Sequence, residues 1–185
     1  MIIKDIEYKL KDGRVALIRS PQDEDIQGVL EYLYISACET DFILRYPEEC
    51  NKYTAENEKI LFDRINNADN EVMLVCLVEG KVAGTCHISW EKKIKTRHRA
   101  SVAIALLSEY WNQGIGTRMF QELIRIAEEN KNLIQIELDF VEGNNRARAL
   151  YEKMGFRITG VKPNAVRLKD GTLLNGYSMI REIKR

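Results

Sequence analysis

Gln113-Gly114-Ile115-Gly116-Thr117 offers the most readable chemistry in this chain. The run stands between a β-like stretch, residues 100–107, and a helix-like stretch, residues 118–130. A glycine-rich turn from strand into helix leaves backbone N–H groups without intrahelical partners, at the positive end of the helix dipole. Such donors suit phosphate, so the turn points to a phosphate-bearing cofactor. Two familiar phosphate motifs do not fit. A dinucleotide turn needs Gly-x-Gly-x-x-Gly after the first strand. Here only Gly114 and Gly116 are present, Met119 stands where the third glycine would be, and the turn follows roughly the fifth strand. A P-loop needs a lysine between glycine and Ser/Thr, whereas Gly116 runs directly into Thr117. Alone, such a turn more often serves close helix–strand packing than phosphate.

A second stretch, residues 144–156, reads Asn-Asn-Arg-Ala-Arg-Ala-Leu-Tyr-Glu-Lys-Met-Gly-Phe. On a helix its first Asn and its Tyr are nearly two turns apart, so Asn144 and Tyr151 share a face. Ala147 lies between them and leaves room for a ligand, while Leu150 and Met154 point to the core. Asn144 as a helix N-cap and Tyr151 as a core-edge tyrosine remain open alternatives.

The two stretches together resemble the GNAT superfamily of acetyl-CoA-dependent N-acetyltransferases. Residues 111–116, Trp-Asn-Gln-Gly-Ile-Gly, resemble its Arg/Gln-x-x-Gly-x-Gly/Ala pyrophosphate loop; residues 144–156 resemble its Asn-x-x-Ala-x-x-Leu-Tyr…Gly-Phe signature. Trp111 departs from the usual Arg or Gln. The resemblance implies a strand that splays from its parallel neighbour, with the pantetheine arm of acetyl-CoA against the backbone of Ile104, Ala105 and Leu106. It implies that Leu106 N–H serves the thioester carbonyl and that Asn112, Gln113, Gly114, Ile115, Gly116 and Thr117 hold the pyrophosphate. Asn144 and Tyr151 would also meet the cofactor. Tyr151 resembles the general acid that protonates the departing sulfur, the phenol and thiol being of comparable acidity. Asp139 stands where ribosomal-protein alanine acetyltransferases carry a glutamate, and is the candidate base; Glu39, Asp41 and His87 are lesser ones. The segment between the first two helices, with Glu39, Asp41 and Tyr46, would line the acceptor site and favour a cationic amine. The implied reaction is acetyl transfer to a primary amine of a small molecule or peptide. The alternative is a non-catalytic acyl-CoA-binding regulatory module, and a more distant one a nucleotide-binding fold. Gly114→Val is expected to weaken coenzyme A binding with the fold intact.

The elements that must position these residues follow from pattern. Lys11-Asp12-Gly13-Arg14 turns a hairpin within residues 6–19. Ser20-Pro21 reads as a helix start, with Ile26, Val29, Leu30 and Leu33 on the buried face. Thr54 opens a second helix with Ile60, Leu61 and Ile65 as its stripe. Strands at 72–78 and 82–90 flank Glu79-Gly80. The basic run 91–99 reads as a solvated loop. The apolar run 100–107 reads as a central strand covered on both faces. Ile115, Met119, Leu123 and Ile126 share a helix face; strands at 133–141, 156–161 and 173–183 complete the chain. The fold class expected is α/β of mixed, GNAT type: a mostly antiparallel twisted sheet of about seven strands with helices on both faces and one splayed parallel pair, as a single domain, 1–185.

Composition agrees. Lys+Arg and Asp+Glu are both 28, so net charge is zero, which argues against general nucleic-acid affinity. No apolar run approaches the ~18 residues that span a bilayer, and the N-terminus lacks a signal-peptide pattern; a cytoplasmic protein is expected, and a homodimer is possible on family grounds. Cys38, Cys50, Cys76 and Cys86 lack metal spacing and read as reduced thiols, with Cys76 and Cys86 inside strands; no metal is expected.

Overall fold

At Asp12-Gly13 the chain reverses and lays β1 (Ile6–Lys9) antiparallel on β2 (Val15–Arg19). β3 (Glu71–Val78) and β4 (Lys81–Trp90) form the next hairpin. Its turn residues Glu79 and Gly80 have φ of 51° and 77°, the paired left-handed geometry whose twist matches the flanking strands. β5 (Arg99–Leu106), β6 (Gln135–Val141), β7 (Arg157–Arg167) and β8 (Leu173–Glu182) follow. The hydrogen-bonded order is β1-β2-β3-β4-β5-β6-β8-β7. The helices are α1 (Ile26–Glu39), α2 (Ala55–Asn67), α3 (Ile115–Glu129) and α4 (Asn145–Lys153). The expected count of about seven strands becomes eight, because the opening hairpin contributes two.

This computed structural model describes residues 1–183. It divides into two compact units: Met1–Ser89 with Ala103–Met119, and Trp90–Val102 with the chain from Phe120 onward. In the first unit β3 is buried along nearly its whole length. Val29 and Tyr32 of α1, and Phe62 and Ile65 of α2, are buried too. Cys76 and Cys86 lie inside β3 and β4 as expected, and burial pushes the Cys76 thiol up to about 12. In the second unit Phe120, Leu123, Phe140, Tyr151 and Phe156 are buried. No helix among the described residues is long and apolar enough to cross a membrane.

Three expectations need correction. Ser20 does not cap a helix: its hydroxyl accepts from Ile3 N–H. A short 3-10 turn, Asp23–Asp25, leads into α1. There Asp25 is buried against Arg19 at 2.6 and 3.0 Å and also accepts from Gln22 N–H, an ion pair that fixes the entry to the helix. On α2, Ile60 is 59% exposed, whereas Phe62 is buried, so the stripe is rotated from the one expected. β5 is not covered on both faces. Ala100 and Val102 are buried, but Ser101 and Ala103 are exposed, the alternation of a strand with one open face. Small side chains lose little by that exposure, and so an apolar run conceals an open surface.

Candidate active site

β5 and β6 run parallel, but their register covers only Arg99↔Gln135, Ala100↔Ile136 and Ser101↔Glu137. The ladder ends there, in the manner of the expected splay. In the first unit the far end of β5 is held from several sides. Tyr32 hydroxyl donates to Ala105 carbonyl at 3.1 Å, Leu107 N–H to Ala83 carbonyl at 2.9 Å, and Trp111 Nε1 to Leu106 carbonyl at 2.9 Å. The tryptophan that replaces the usual Arg or Gln thus braces the strand that precedes the loop. Gly84 on β4 permits the approach of β5: a Cβ there would lie 2.5 Å from Ala105 carbonyl oxygen.

The loop itself is fixed by β1 and its turn. Gln113 Oε1 accepts from Lys11 and Asp12 N–H at 3.1 and 3.3 Å, which leaves its main chain as the group available to a ligand. Gly114 has φ 90°, and a Cβ there would lie 2.3 Å from Tyr8 hydroxyl oxygen. The positive φ calls for glycine, and a side chain would also push the end of Tyr8 aside. The first bond of α3 runs from Arg118 N–H to Gly114 carbonyl at 3.0 Å. Ile115 and Gly116 N–H precede it and have no intrahelical partner. A helix start with two such donors is therefore present, on a helix of fifteen residues in which Ile115, Met119, Leu123 and Ile126 are all buried as expected.

In the second unit, Asn144 caps α4, its Oδ1 accepting from Ala147 N–H at 3.2 Å. Tyr151 is only 7% exposed, while Leu150 and Met154, expected in the core, are half-buried. Its ring lies 5.5 Å from Phe120, 6.1 Å from Phe140 and 6.3 Å from Phe156. Burial pushes the phenol up to about 12, so it is no longer comparable with a thiol.

Asp139 lies on the other side of β6. Alternation sends Phe140 toward Tyr151 and turns Glu137 and Asp139 into a cavity of about 460 Å³, lined also by Ser101, Thr159, Lys162 and Ser178. Asp139 accepts from Lys162 Nζ and from Ser178 Oγ, both at 2.6 Å. Partial burial works to raise its pKa, but these two hydrogen bonds and the lysine's charge outweigh it and hold the carboxyl below its ordinary value. Glu137 accepts from Gln135 Nε2 at 2.6 Å and lies 3.5 Å from Arg99 Nε.

The expected acceptor residues belong to the first unit and are largely engaged. Glu39 accepts from Ser108 N–H at 2.8 Å and Ser108 Oγ at 2.7 Å. Tyr46 caps the 3-10 turn Pro47–Lys52, its N–H donating to Glu49. Asp41 is exposed. Sequence reasoning missed Ser101, Thr159, Lys162 and Ser178. No local signal marks them, because strand register and β7 irregularities bring them to one cavity.

His87 Nε2 lies 3.1 Å from Glu71, which also pairs with Arg64. Burial lowers its pKa more than the Glu71 hydrogen bond and charge restore it, with Arg64 lowering it further. A histidine whose folded-state pKa is depressed contributes stability above its unfolded value of about 6.5, and that contribution is lost as pH falls through the folded value. Wild-type protein should therefore lose more denaturant stability between about pH 7.5 and 5.5 than His87→Gln. Equal losses would show that His87 carries no such linkage.

The acetyltransferase (GNAT) family model matches residues 35–156. The chain is 26% identical over 119 residues to the L-amino acid N-acetyltransferase AaaT of Escherichia coli (strain K12), covering 64% of this chain and 73% of that protein. A GNAT-family acetyltransferase structure from Streptococcus pneumoniae superposes with a TM-score of 0.84 at 27% identity, covering 91% of this chain and 99% of that one. The same fold recurs in a phosphinothricin acetyltransferase from Sinorhizobium meliloti in complex with acetyl-CoA, at TM-score 0.77 and 20% identity, covering 91% of this chain and 88% of that one. With the glycine loop and the Asn144 helix both inside the matched range, the chain belongs to the acetyltransferase (GNAT) family and is an acyltransferase.

Proposed function

We propose that this protein transfers the acetyl group of acetyl-CoA to a primary amine of a small molecule or peptide, by direct attack in a ternary complex. One observation carries the reading: α3 begins with Ile115 and Gly116 N–H groups lacking intrahelical partners, directly after a glycine that only a bare backbone can occupy. These donors, with the main chain of Asn112, Gln113, Gly114 and Thr117, hold the pyrophosphate. The backbone of Ile104, Ala105 and Leu106 receives the pantetheine arm, Leu106 N–H serving the thioester oxygen; Asn144 and Tyr151 complete the cofactor contacts. Bound acetyl-CoA supplies an activated acyl carbon.

The acceptor enters as an ammonium, because an ordinary lysine-like amine has pKa ~10.4. Asp139, held below an ordinary carboxylate, does not keep its proton; it orients the amine and relays the proton to solvent. The amine lone pair forms the N–C bond, the C–S bond breaks with its electron pair going to sulfur, and the second proton shed by the amide nitrogen passes to the thiolate or to solvent. Asp139 and Tyr151 act from opposite sides of β6, the one on the entering amine, the other on the leaving thiolate. Tyr151 is neutral throughout the working pH range because burial raises its pKa to about 12. It therefore donates a hydrogen bond to sulfur throughout that range. The amino-acid activity in the name of the Escherichia coli relative agrees with a small amine acceptor.

The test is thiol release from acetyl-CoA across a panel of primary amines, amino acids, polyamines and peptide N-termini. Amine-dependent release is expected. Coenzyme A binding without release for any amine would leave the non-catalytic module as the correct reading.

A further inference from the structure

We propose that Lys162 is a specificity residue for the acceptor, and that the acceptor is a primary amine which also carries a carboxylate. This deepens the acetyl-transfer reading above and rests on it. The cavity on the open face of β5, β6, β8 and β7 holds two carboxylates, Glu137 and Asp139, with the ammonium of Lys162 and the hydroxyls of Ser101, Thr159 and Ser178. A polycation would meet Lys162 as a like charge. A zwitterion meets an opposite charge at each end.

The strand geometry is built to hold Lys162 there. Asp139 pairs directly across from Ser178 in the β6–β8 register, and Lys162 sits across from Gly176 in β7–β8. Residues 176 and 178 face the same way. The lysine stem passes over position 176: a Cβ there would be in ordinary contact with Lys162 Cβ at 3.7 Å and Cδ at 4.0 Å, and would press only on Ala165 Cβ at 3.0 Å. The register shift between Ile158 and Gly160 brings Thr159 into the same cavity, although a spacing of three would set it opposite Lys162 on a regular strand.

The Lys162–Asp139 pair is poised to exchange partners. Both side chains are 58% exposed, and exposed ion pairs contribute little to stability. An arriving carboxylate takes the Lys162 ammonium, which frees Asp139 for the arriving amine.

The experiment compares L-leucine, L-leucinamide and isoamylamine as acceptors for wild type and Lys162→Met, which keeps the stem and removes the charge. Thiol release gives kcat and KM for each, and calorimetry gives acceptor binding. Wild type should prefer leucine. In Lys162→Met the preference for leucine over isoamylamine should fall at least tenfold, mainly through the KM for leucine. A leucine-to-isoamylamine ratio unchanged within twofold overturns the proposal and leaves acetyl transfer standing. Lys162-dependent binding of leucine without thiol release for any amine upholds the recognition and overturns the transfer reading. Absence of both binding and turnover of leucine overturns the proposal.

Discussion

Tyr151→Phe should lower kcat for thiol release by about a hundredfold or more, the scale of a lost acid–base partner, while thermal stability stays within error of wild type. The separation follows from how the side chain is held. Its ring is packed edgewise and tilted among Phe120, Phe140 and Phe156, contacts that phenylalanine reproduces. Among the described residues nothing hydrogen-bonds the hydroxyl, so its removal leaves no buried partner unsatisfied. Burial also sets what the hydroxyl can do. A phenol at about 12 lies roughly 3.5 pKa units above an ordinary thiol, so complete proton transfer to sulfur would cost about 5 kcal/mol. The group acts chiefly by donating a hydrogen bond as charge develops on sulfur. Steady-state kinetics at saturating acetyl-CoA, paired with a thermal melt, check this. An unchanged kcat would remove Tyr151 from the chemistry.

Gly114→Val is expected to abolish measurable coenzyme A binding and also to destabilise the protein. The second effect contradicts the sequence-based expectation of an intact fold. Valine at φ 90° is strained, at a cost of about 1–3 kcal/mol. Its Cβ would stand 2.3 Å from Tyr8 hydroxyl oxygen, the far end of a half-buried side chain, so movement of the ring keeps this second cost small. Tyr8→Ala in the same chain removes the clash but not the strain. The double variant should therefore recover part of the lost stability and still fail to bind, because the added side chain also blocks the approach of a ligand to the backbone. Calorimetric affinity equal to wild type in the double variant would show that the loop does not carry the pyrophosphate.

The two motifs were legible because each is local. A glycine turn and a helix with Asn144 and Tyr151 keep their meaning within about a dozen residues. So do the hairpins at Asp12-Gly13 and Glu79-Gly80, whose turn chemistry is carried by the residues themselves. The cavity was illegible for the opposite reason. Asp139 meets Ser178 across 39 positions of chain and Lys162 across 23, and the β7 register shift breaks the alternation by which Thr159 and Lys162 would have been assigned a face. The partners of the loop were hidden likewise: Gln113 reaches the β1–β2 turn, about a hundred residues earlier, and nothing near Gly114 announces Tyr8. Ser20 misled because a serine before proline is a good cap in isolation, while here its hydroxyl is engaged by Ile3. The bonds from Ser108 to Glu39 span 69 positions and were hidden in the same way.

The most direct measurement is a backbone amide NMR titration of the wild-type protein with coenzyme A. Saturable binding is expected, with the largest amide shifts in residues 113–117 and further shifts at residues 104–106. Binding that leaves Gly114, Ile115 and Gly116 unmoved, or no binding at millimolar coenzyme A, on the order of the weakest affinities of biological use, would contradict it.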